Sequence, residues 1–139
     1  MEKTTTITGR IHQDKSFTAT EFSGALLEGL IGMEDSEDRE PLLVFIKIKD
    51  QNWHRFFLDS AIGFWENWQE TEVDQSEAHL DEVVYVDYRA KYSLENKQIA
   101  DIVCLDSQII ITFINKAQFI LKEVNPGAVD TPSAVIFIP

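Results

Sequence analysis

Between Glu82 and Val124 the hydrophobic residues recur at every second position, and this constrains the fold more than any other feature of the chain. Val84, Val86, Tyr88, Ala90, Tyr92 and Leu94 share one parity, while Asp87, Arg89, Lys91 and Ser93 occupy the other. Successive side chains of a strand point to opposite faces, so this period of two means one apolar and one wet face. Glu95-Asn96-Lys97 interrupts the pattern. Gln98 to Leu105, Gln108 to Ile114 and Ala117 to Val124 then read as three more strands. The breaks between them, Asp106-Ser107 and Asn115-Lys116, have the length that hairpins favour. The stretch predicts an antiparallel meander.

The flanking segments read in the same way. Thr4 to Ile11 is rich in β-branched residues and predicts a strand, with His12-Gln13-Asp14-Lys15 as a reversal and Ser16 to Phe22 as the hairpin partner. Ser23 to Met33 supports two readings. Phe22, Leu26 and Leu30 with Leu27 and Ile31 make a helical stripe, and Thr18-x-x-Glu21 has the form of a capping box. Gly24 and Gly29 oppose a helix, since each costs about 1 kcal/mol relative to Ala in its interior. As a strand, Ala25, Leu27, Ile31 and Met33 share a face, and the strands on either side tip the balance that way.

Glu34 to Glu40 is a charged loop, and Pro41 opens a strand over Leu42 to Lys49. In Trp53 to Trp68, residues Phe56, Leu58, Ile62, Phe64 and Trp68 share even parity, as in one long strand bent near Asp59-Ser60 or Gly63. Thr71 to Asp81 has little apolar content, and Asp74-x-x-Glu77 suits a short helical turn. Asn125-Pro126-Gly127 and Thr131-Pro132 are breaks before a last strand, Ala134 to Ile138. That strand is too apolar for a free edge, so it is expected inside a sheet or against a second copy of the chain. A chain of 139 residues with no linker is one domain, residues 1–139. The expected class is mainly β: a single-domain antiparallel barrel or two-sheet sandwich with one or two short helices, becoming α+β if Ser23 to Met33 is helical.

The net charge of −12 is concentrated. Sixteen carboxylates against four cations lie between Glu28 and Asp87, which accounts for the whole imbalance, and Phe56 to Tyr88 contains no Lys or Arg. Such a field repels phosphate backbones and anionic lipid and attracts basic surfaces. It also serves plain solubility. A lone Cys104 excludes an internal disulfide and suits a reducing compartment. The first twenty residues have no apolar run of a signal peptide, and no window reaches the roughly twenty apolar residues of a membrane helix. A soluble cytoplasmic protein is expected.

No catalytic constellation stands out. The acids of Glu34 to Glu40 come in adjacent pairs without the glycine or the alternate spacing of a calcium loop. His12, His54 and His79 lack a second ligand at metal spacing. His54 lies on an apolar parity, as a hydrogen-bonded core histidine does. Cys104 sits in Ile102-Val103-Cys104-Leu105, the setting of an inert buried thiol. Neither a nucleophile elbow nor a phosphate-cradling glycine loop occurs. Asp59 with Glu66 beside Trp65 and Trp68 offers the carboxylate pair that glycoside chemistry needs. No catalytic, metal or cofactor residue is assigned, and the chain is expected not to be an enzyme.

The feature with most functional content is the Trp53–Trp68 segment, because large aromatics occupy both of its parities. Either a second layer covers one face or part of it is a recognition surface. The expectation is an acidic protein-interaction module, an inhibitor or regulator docking on a basic partner. Trp65 and Trp68 would be its anchors, with Glu66, Glu70, Glu72, Asp74 and Glu77 as its rim. The alternatives are a small-ligand-binding β-barrel or minor hydrolase with an aromatic-lined pocket, and a homodimer burying the aromatic face.

Overall fold

The meander forms, with a two-residue turn at Asp106-Ser107 and a three-residue one at Ile114 to Lys116. In the computed structural model, which describes residues 5–7, 10–68, 82–126, 128 and 131–139, β9 (Ile99–Leu105), β10 (Gln108–Phe113) and β11 (Gln118–Glu123) pair antiparallel in order, and β12 (Ser133–Ile138) continues the sheet. Asp106 and Ser107 both have positive φ, 55° and 61°, the left-handed pair whose twist matches a two-residue hairpin. On the other side of β9 lies β3 (Phe17–Thr18), and beyond it the two residues of β1 (Thr5–Thr6). The order of this meander sheet is β1-β3-β9-β10-β11-β12.

The second sheet gathers β2 (Ile11–Asp14), β4 (Leu27–Asp35), β5 (Pro41–Ile48), β6 (His54–Asp59), β7 (Ile62–Asn67) and β8 (Val83–Asp87) in the order β2-β7-β6-β5-β4-β8. Both orders are linear, so the architecture is an open two-sheet sandwich and not a closed barrel. A single core lies between the sheets, running from Phe17, Phe22 and Trp65 through Phe56 and Val44 to Tyr88 and Phe119. The sheets approach closely at Gly63, where an added Cβ would overlap the Cys104 sulfur and the Phe17 ring. Burial pushes the Cys104 thiol up to about 12, the inert state that its apolar neighbours predict.

Several expectations are corrected, each for a local reason. Among the described residues of the Thr4 to Ile11 prediction only Thr5–Thr6 and Ile11 are in strands, with Ile7 and Arg10 outside them, and Ile11 to Asp14 is β2 rather than a reversal; β2 and β3 then enter different sheets, as Phe17 turns into the core. Ser23 to Met33 is not helical, because Leu27–Asp35 is a strand that pairs with β5 and β8. Helix there is limited to a 3₁₀ turn at Thr20–Phe22 without a side-chain cap, so the α+β alternative does not apply. The strand predicted from Val84 to Leu94 stops at Asp87. Its carboxylate accepts the Ala90 amide (3.0 Å) and caps a helical turn, α1 (Tyr88–Lys91). Tyr88 and Tyr92 are four residues apart, a spacing that satisfies both strand and helix periods. Finally, β12 ends the meander sheet as an edge strand, where an interior position was one of the two expectations.

Candidate functional site

Trp53 to Trp68 holds a hairpin, not a bent strand. Ser60 and Ala61 both take left-handed φ values, 51° and 67°, although neither is the Asn or Gly that such a turn usually requires. A distant group stabilises it. Glu123 on β11 is buried, and its carboxylate accepts the Ala61 amide at 3.0 and 3.2 Å. A two-residue turn reverses the parity of the returning strand. Phe56, Leu58, Gly63 and Trp65 therefore face the core, while Arg55, Phe57, Phe64 and Glu66 face away from it.

This reversal decides between the two tryptophans expected as anchors. Trp65 is 1% exposed. Its ring stacks on Phe56 at 4.9 Å and meets Phe17 and Phe22 edge-on. Its Nε1–H donates to His54 Nδ1 at 2.8 Å. Trp65 belongs to the core and its assignment as a docking anchor is corrected. His54 is the hydrogen-bonded core histidine of the expectation, and burial pulls its pKa down to about 4. Trp68 lies on the outside, half-buried over Phe45 (centroids 5.2 Å apart), with the Arg55 guanidinium 5.0 Å from its ring.

Around Trp68 the outer face of this sheet carries an apolar patch interrupted by charged residues. One row in register runs Ile11, Glu66, Arg55, Phe45, Ile31, Asp87 across all six strands. Beside it Phe64 stacks on Phe57 at 4.7 Å, and Leu43, Met33 and Tyr85 are register partners, the Tyr85 hydroxyl contacting the Met33 sulfur. These rings and chains are half-buried. Phe45 and Trp53 are buried, yet neither belongs to the central core. The six-membered ring of Trp53 lies against Gly29, where any Cβ would overlap it. That close approach is why glycine occurs in the middle of β4. An antiparallel sheet with a solvated face should be polar there; this one carries a second apolar surface.

Its charge is acidic at the margins. Asp35, Asp59 and Asp87 share the outward parity and make no ion pair among the described residues. Glu66 differs from the expectation of a free rim carboxylate, since Arg55 (2.7 Å) and Arg10 (3.6 Å) neutralise it. Lys47 is likewise held by Glu28 at 2.7 Å. Glu70, Glu72, Asp74 and Glu77 lie outside the described residues, as does His79. Phe57, Phe64, Phe45, Leu43 and Met33 are additions: the unrecognised turn assigned Phe64 to the core face, and the pairing of β4, β5 and β6 that brings the others beside it is a tertiary feature.

Other chemistry is weakly supported by the geometry. Asp59 ends β6 at the turn, whereas Glu66 pairs opposite Arg55, four residues back along β6. That is roughly 13 Å of strand, too far for a carboxylate pair of the glycosidase kind. A groove of about 630 Å³ beside β12 includes Glu34, Arg39, Tyr88 and Tyr92. Its buried carboxylate is already satisfied, with Tyr88 Oη donating at 2.5 Å and Arg39 Nε at 2.8 Å. Burial and the facing Glu34 push the Tyr88 pKa far above its ordinary value. Among the described residues no helix is long and apolar enough to cross a membrane.

The fold and this face together define an open β-sandwich with one core-facing and one outward apolar surface on the same sheet. Comparison with family models, with curated proteins and with solved structures gives no match; the case for function therefore comes from this surface.

Proposed function

We propose that the chain is a non-enzymatic, cytoplasmic interaction module that docks a basic protein on the outer face of its β2-β7-β6-β5-β4-β8 sheet. One observation carries the reading: among the described residues Phe57, Phe64, Leu43, Met33 and Trp68 are partly exposed on a sheet face whose Lys47 and Arg55 are already paired. A contiguous apolar patch of this kind marks a contact surface, and Trp and stacked Phe rings supply anchors of low conformational entropy. The complement of Asp35, Asp59 and Asp87 is a Lys- and Arg-bearing surface, drawn in by the overall charge of −12. Acting as an inhibitor or regulator fits a chain that presents an apolar, acidic-rimmed surface for a partner to cover.

Passing native lysate over immobilised wild type and over Phe57→Ser/Trp68→Ala tests this. The expected result is a protein rich in Lys and Arg, identified by mass spectrometry, held at low salt and released near 0.5 M as charges are screened. Its retention by the variant falls about 30-fold, the loss that follows from removing one strong anchor, while the variant still melts cooperatively. Equal retention by a folded variant rejects the surface.

A further inference from the structure

Among the described residues four strands end the two sheets, and three of them are blunted against pairing. β1 is two residues long; β2 contains Asp14 and lies between Arg10 and Lys15; β8 lies between Glu82 and its own Asp87. Short length and charge are the usual protections of an edge. β12 has neither. Ser-Ala-Val-Ile-Phe-Ile is uncharged, and Ile136 and Ile138 are 40% and 47% exposed.

Hydrogen bonding fixes which groups this edge offers. The Val124 amide donates to Pro132 O at 2.9 Å, so Val124 and Pro132 form a bonded pair of the ladder. Bonded and non-bonded pairs alternate in an antiparallel ladder. Ala134, Ile136 and Ile138 therefore turn their backbone groups toward β11, and Ser133, Val135 and Phe137 turn theirs to the open side. Glu40 confirms the phase independently, because its carboxylate accepts the outward Ser133 amide at 3.1 Å. The N–H and C=O groups of Val135 and Phe137 remain, with no backbone partner among the described residues.

We propose that β12 pairs antiparallel with β12 of a second copy, about a two-fold axis at Ile136. In that register Val135 lies opposite Phe137 of the second copy and exchanges both backbone bonds with it. The axis repeats the exchange, which gives four bonds and uses every N–H and C=O group of Val135 and Phe137 in both copies. Shifting the register by two places in either direction sets a free group against the Ser133 amide, already held by Glu40, or against Pro139, which has no N–H. Side chains agree. Ala134 faces Ile138 of the second copy, small against large, and the outer-face row Val103–Ile110–Ile120–Ile136 runs on across the axis. A like-charged copy, at −12 each, is best accommodated at a strand without charge. The pairing leaves the aromatic outer face of the other sheet free, so it is independent of the docking proposed above.

Sedimentation equilibrium of the whole chain at low and high salt, with three variants that each add one cysteine to the buried Cys104, under mild oxidation, tests the pairing. Dimers of twice the chain mass are expected, favoured by added salt, the opposite sign to docking on a basic partner. Ile136→Lys places like charges directly opposite one another at the axis and should weaken the dimer on the order of ten-fold or more. Because the site is exposed, its melting should barely change. Ile136→Cys should cross-link to itself, since non-bonded antiparallel pairs bring Cα atoms to about 4.5 Å. Ala134→Cys and Ile138→Cys alone should not, whereas their mixture should. A chain that sediments as a monomer throughout, or a dimer that survives Ile136→Lys undiminished, overturns the proposal. A cross-link at 134 or 138 alone without one at 136 overturns the register.

Discussion

Trp65→Ala should lower unfolding free energy in denaturant by about 3–5 kcal/mol, the range for emptying a large aromatic from a packed core. The ring stacks on Phe56, meets Phe17 and Phe22 at their edges and sits beside β2 in register with His12. Three strands from both sheets and the 3₁₀ turn therefore border the void. A second cost is separable. Trp65 Nε1–H is the donor to His54 Nδ1, and without it a buried acceptor stays unpaired at about 1–3 kcal/mol. Trp65→Phe keeps most of the volume and should show mainly that second cost. Since domains of this kind hold about 5–15 kcal/mol in total, Trp65→Ala should lie close to the limit of folding. A loss below about 1 kcal/mol would mean that the indole is not where the stacking places it.

Acid should destabilise the protein through His54. Its pKa is about 4 in the folded chain against an ordinary 6.5, because burial disfavours the imidazolium. The sign follows from proton uptake. Above pH 6.5 neither state binds the proton and the stability is fully present. Between 6.5 and 4 the unfolded chain binds a proton that the folded chain refuses, so stability falls with pH. Across that window the loss approaches 3 kcal/mol, at about 1.4 kcal/mol per unit. His54→Gln removes the titration while keeping an acceptor for Trp65. Unfolding free energy measured at pH 7 and pH 4 should drop by roughly 3 kcal/mol more in wild type than in His54→Gln. Parallel curves would show that His54 meets solvent or a carboxylate in the folded state.

How much of this was legible depended on whether the deciding contact was local. Asp106-Ser107 is a turn by its own chemistry, and the strands on either side of it appear where the alternation placed them. Ser60-Ala61 is a turn because Glu123, sixty-two residues away, holds its amide. Nothing between Trp53 and Trp68 records that. Missing the turn exchanged the faces of every residue after it, so Trp65 seemed to oppose Phe56 and Trp68 to share its face, the reverse of what the hairpin shows. Tyr88 and Tyr92 misled in another way, as a spacing of four is shared by a strand face and a helix face. The presence of aromatics on both parities was visible and did mark the sheet with two apolar faces. Which rings belonged to which face required the hairpin.

Photo-cross-linking from the sheet itself gives the most direct test of docking on the aromatic face. A photoreactive phenylalanine placed at Phe57, at Phe64, or at Lys122 on the opposite outer face as a control reports what touches each side in the cell. Docking as described is expected to give one basic protein cross-linked from Phe57 and from Phe64, absent from Lys122, and lost when Trp68→Ala is added. Cross-links from Lys122 alone, or none from Phe57 and Phe64 in a chain that folds, would contradict it.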